Sequence, residues 1–101
     1  MAFEYNIFFD LNENEKKQIL KDILILIQSH FFENNVEYKN LSIIIENNDV
    51  QSNWKELASI EISKEGFFIV MSLNRDDRNF ILEQIELILS TKHIEYEIDE
   101  V

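Results

Sequence analysis

Glu95, Glu97 and Asp99 alternate with Ile94, Tyr96 and Ile98 near the end of the sequence, a period-two spacing that puts three carboxylates on one face of a strand. Close like charges disfavour one another's ionised form until a cation arrives. The chemistry this pattern suits is recognition of Lys or Arg from a partner. It equally suits a solvated edge strand that charge guards against aggregation. Glu46 and Glu61 occupy other apolar-rich segments, while Asp49 and Trp54 border an Asn-rich stretch, where the Trp either anchors a contact or caps the core. With Phe68 added, the candidate partner-binding set is Glu46, Asp49, Trp54, Glu61, Phe68, Glu95, Glu97 and Asp99.

Other chemistry finds less support. His30 and His93 are the two histidines and there is no cysteine, so the three or four ligands of a usual zinc site are not assembled from those types. His30 falls in an apolar helical stripe, as a core or boundary histidine does, and His93 has no recognisable triad around it. The stretch from Glu46 to Asn53 offers oxygen ligands but lacks the glycine and terminal Glu of a calcium loop. Asp76 and Asp77 read as helix-capping residues. Gly66 is the one glycine and proline is absent, which excludes a Gly-rich phosphate cradle and a Pro-rich ligand segment. No catalytic, metal or cofactor-binding residue is therefore assigned, and no enzyme activity is expected.

Nine Lys and Arg stand against 20 Asp and Glu, for a formal net charge of −11 and a pI near 4.4. Such a surface repels phosphate backbones and anionic membranes and speeds encounter with basic proteins. Solubility alone would also account for it. The 101 residues, 46% hydrophobic, suit one α+β domain over positions 1–101. No run reaches the roughly 20 apolar residues of a membrane span. The first residues carry acid where a secretory signal carries Lys or Arg, so cytoplasmic residence is expected.

The elements that must position these residues follow from periodicity. Phe3, Tyr5, Ile7 and Phe9 alternate as a strand. Asn12 and Glu15 form a capping box before a helix whose stripe runs Ile19, Leu20, Ile23, Leu24, Leu26, Ile27 and Phe31. Ile25 and Phe32 fall on its polar side. Segments 36–46, 54–62 and 66–71 read as three strands of an antiparallel meander, the last two joined by a hairpin turn at Ser63-Lys64-Glu65-Gly66. A second helix carries Phe80, Ile81, Leu82, Ile85, Leu87, Ile88 and Leu89 as a broad apolar face, and 94–99 close the chain as a strand.

The order β-α-β-β-β-α-β suits a two-layer sandwich: a largely antiparallel five-stranded sheet with both helices on one face, similar to a ferredoxin-like fold with an added strand. Alternation then places Glu4, Phe8, Ile44, Glu46, Leu57, Glu61, Phe68, Val70, Glu95 and Glu97 on the helix-free face. An apolar centre with an acidic margin has the make-up of an interface.

A short, acidic, cysteine-free chain with an Asn, Ile, Lys and Glu bias resembles the immunity proteins of bacterial polymorphic-toxin and contact-dependent growth inhibition systems. The resemblance spans the whole chain and is one of type, without a shared motif. It implies a cognate basic toxin, such as a nuclease, neutralised in a 1:1 complex by electrostatic capture and occlusion. An acidic assembly module, including a homodimer, and a nucleic-acid mimic are the alternatives. None involves direct nucleic-acid or membrane binding.

Overall fold

A computed structural model describes residues 2–48 and 56–101. The element order is β1 (Phe3–Phe8), α1 (Glu13–His30), β2 (Asn35–Lys39), β3 (Ser42–Glu46), β4 (Glu56–Ser63), β5 (Gly66–Met71), α2 (Arg75–Thr91) and β6 (Glu97–Glu100). The fold is α+β, with two helices and one six-stranded antiparallel sheet in the order β2-β3-β4-β5-β1-β6. No helix among the described residues is long and apolar enough to cross a membrane.

The sixth strand corrects the expected five. The segment 36–46 is two strands joined at Asn40-Leu41, where both residues have positive φ, 52° and 63°, and Lys39 pairs with Ser42. A two-residue hairpin with positive φ at both central positions matches the twist of its strands. Asn40 signals that turn, but Leu41, an apolar residue where glycine is usual, hides it inside a continuous apolar run. β2 to β5 form a meander, and β1 then inserts between β5 and β6.

α1 starts as its sequence implies: the Asn12 side chain accepts from the Glu15 amide at 2.8 Å and Glu15 accepts from the Asn12 amide at 3.3 Å. α2 is capped differently from expectation. Asn74, and neither Asp76 nor Asp77, is its N-cap, accepting from the Asp77 amide at 2.8 Å. The Asn74 side-chain Nδ2 also donates to the Asp77 carboxylate at 3.1 Å, which leaves the two acids in the first turn beside the positive helix end.

Ile19, Leu20, Ile23 and Ile27 of α1 and Ile81, Ile85 and Leu89 of α2 join Ile7, Ile43, Ile45, Ile60, Phe67, Ile69 and Met71 of the sheet in one core. The strand residues of that set are alternate positions, so both helices cover the same face. Phe9 meets Phe67 edge to face at 4.9 Å. Ile25 and Phe32 stay exposed, 66% and 79%, and Leu87, expected on the apolar face of α2, is exposed as well.

The two helices are tied where the end of α1 meets the start of α2. His30 stacks on Phe80 with ring centroids 3.8 Å apart, and its Nε2 lies 3.0 Å from the Asp77 carboxylate. His30 is thus a boundary residue that spends its ring on packing and one nitrogen on a helix-terminal acid.

Candidate protein-binding face

With the helices on one side, register decides what the other side presents. β1 pairs with β5 so that Asn6 faces Phe68, Glu4 faces Val70 and Phe8 faces Gly66. On its other edge β1 sets Asn6 against Asp99 and Phe8 against Glu97, while β4 sets Glu61 against Phe68 and Ser59 against Val70. β3 continues the face with Ser42 against Glu61 and Ile44 against Ser59. One row therefore reads Ser42, Glu61, Phe68, Asn6, Asp99 across five strands.

Phe8, Ile44, Phe68 and Val70 are half-buried, lying on the face opposite the core by alternation. Exposed Glu4, Glu37, Glu61, Glu97 and Asp99 interleave with or flank them, and Lys39 is the one cation on this face among the described residues. Ion pairs among the described residues join Lys17 to Glu13 and His30 to Asp77. None of the sheet-face acids is in them.

Strand pairing sets Glu61, Phe68, Glu97 and Asp99 on one face of the sheet, with β5 and β1 between Glu61 and the two β6 acids. Glu46 shares the sheet but ends β3, half-buried, with one carboxylate oxygen 3.2 Å from the Asn35 side-chain amide. Four strand intervals of about 4.8 Å separate it from β6, roughly 19 Å across the sheet. Glu46 thus marks the far margin of the face. Glu95 is exposed but precedes β6, which starts at Glu97. The run of alternating acids is therefore longer than the strand pairing that β1 supplies. Asp49 and Trp54 lie outside the described residues. Leu57 sits at a β-bulge, where Ala58 pairs with Ile45 but Glu56 pairs with Glu46, and it packs at the margin of the core.

No family model, curated protein or solved structure matches this chain.

Two features of this region escape periodicity. Lys16, on α1, is buried, and its ammonium donates to the backbone carbonyls of Ser63 and Lys64 at 3.0 Å each. A lysine one turn into an amphipathic helix gives no sign from spacing that it will cross to a hairpin turn. Beside that turn, a shallow groove of about 650 Å³ opens between the end of β1, the β4–β5 turn and the segment entering β6. Phe8 and Glu97 belong to both the groove and the sheet face.

Proposed function

We propose that the chain is an immunity protein that captures a basic toxin through its helix-free sheet face and neutralises it by occlusion. One observation carries this reading: half-buried Phe8, Phe68 and Val70 share a face with Glu61, Glu97 and Asp99, acids in no ion pair among the described residues. Acids at the margin raise the encounter rate and fix orientation, while apolar groups between them exclude water and slow dissociation.

Scale is compatible with this use. Six strands at about 4.8 Å spacing span roughly 24 Å, the breadth of a patch contributing some 800 Å² to a standard interface. Pairing of two copies through the same face is disfavoured, since each carries a net charge of −11 and a two-fold contact would set like charges together. A nucleic-acid mimic would need acids in phosphate-like rows. Here Phe68 and Asn6 stand between Glu61 and Asp99 in the register.

The reading requires a toxic domain encoded in a gene next to this chain's, and co-expression with that domain tests it. Expected are rescue of growth and recovery of a 1:1 complex, both lost when Phe68→Asp is combined with Glu61→Lys. Failure of the wild-type chain to rescue or to co-purify would contradict immunity.

A further inference from the structure

If the chain captures a basic protein, we propose that the groove beside the β4–β5 turn takes an arginine side chain of that protein as its anchor. The groove has apolar walls from Phe8, Phe9, Leu11 and Tyr96. Acidic Asp10, Glu65, Glu95 and Glu97 also line it, against the single cation Lys64. An occupant matching that surround is a cation with a flat or aliphatic body. Arginine fits both parts, since its planar guanidinium stacks on aromatic rings and pairs with carboxylates through a fork of donors that lysine lacks.

The walls are held before any partner arrives. Lys16 pins the turn through the carbonyls of Ser63 and Lys64, and the Phe9 amide donates to the Glu65 carbonyl at 3.0 Å. Gly66 lets the turn approach β1 closely: a Cβ there would lie 1.9 Å from the Ile7 carbonyl oxygen. Gly66 also pairs with Phe8 across the strands, so the residue directly opposite that ring has no side chain to lay over it. A preformed site avoids the cost of ordering its groups on binding.

The groove continues the sheet face through Phe8 and Glu97, so an arginine seated in it would fix one corner of a partner lying over Phe68. Glu95, placed outside β6, then has a role that the strand alone does not give it.

The test uses hexa-arginine amide as probe and the full chain, followed by amide chemical shifts at about 20 mM salt, where screening is weak. Expected are saturable shifts centred on Phe8, Phe9, Tyr96 and Glu97, and binding about tenfold weaker in a Glu95→Gln, Glu97→Gln double variant. A Glu33→Gln, Glu83→Gln variant, with the same loss of charge elsewhere, should bind as the wild type does. Hexalysine should bind several-fold more weakly than hexa-arginine. Equal weakening by both double variants, or equal binding of both peptides, would reduce the effect to net charge and overturn the anchor. Shifts centred on Glu61 and Phe68 with none in the groove would also overturn it, while leaving capture by the sheet face standing. Groove shifts with undiminished rescue by the Phe68→Asp, Glu61→Lys variant would instead uphold the anchor and remove the sheet-face reading.

Discussion

Backbone geometry at single residues sets the sharpest expectations. Gly66 has φ +151° and no room for a Cβ against the Ile7 carbonyl. Gly66→Ala should therefore cost about 3 kcal/mol or more, since backbone strain and displacement of a neighbouring strand add. Urea unfolding measures it, and a loss under about 1 kcal/mol would mean the hairpin relaxes freely. Leu41 is the converse case. It holds φ 63° in the β2–β3 turn, a conformation that costs a side-chain-bearing residue about 1–2 kcal/mol. Leu41→Gly should raise stability by about 1 kcal/mol, whereas destabilisation would show that its packing outweighs its strain. Lys16→Met keeps the buried stem but leaves the Ser63 and Lys64 carbonyls without their ammonium donor. A loss of about 1–3 kcal/mol is expected, with faster amide exchange confined to the β4–β5 turn and its neighbours.

At the scale of elements, legibility depended on whether one residue type carries one message. α1 could be read from Asn12 and Glu15 because a capping box is local and both its bonds form. β1 was legible from alternation and β5 from a nearly continuous apolar run, and the helix-free set including Glu4, Phe8, Ile44, Glu61, Phe68 and Val70 follows from a register that did not slip. The β2–β3 hairpin was hidden because Asn40-Leu41 lacks the glycine that usually marks such a turn. The cap of α2 was misplaced onto Asp76 or Asp77 because three candidate capping side chains occur within four positions, and only geometry selects Asn74. Asn74→Ala should accordingly cost about 1 kcal/mol of stability, while Asp76→Asn should fall within about 0.5 kcal/mol as other exposed changes do. The reverse ranking would restore the sequence-based cap.

Across the whole molecule, what sequence withholds is which acids converge. Composition states the net charge of −11 but not where it gathers. Pairing of β6 with β1 carries Glu97 and Asp99 to Phe8 and Asn6, and β5 brings Phe68 between Asn6 and Glu61. Long-range pairing of this kind leaves no local trace, and neither does the path of Lys16 to the turn. Glu46 stands at the end of β3, four strand intervals from β6. Because the face is acidic overall, association with a basic partner should slow steeply as salt rises, and Glu61→Lys with Asp99→Lys should flatten that dependence. Stopped-flow mixing at several ionic strengths reads it.

Carboxylate footprinting of the chain, free and in complex with the basic protein that the proposed function requires, bears on binding through the helix-free face most directly. Carbodiimide labelling read by mass spectrometry should fall severalfold at Glu61, Glu97 and Asp99 in the complex and stay level at Glu13 and Glu83. Undiminished labelling of those sheet-face acids, with loss at the helical pair instead, would contradict it.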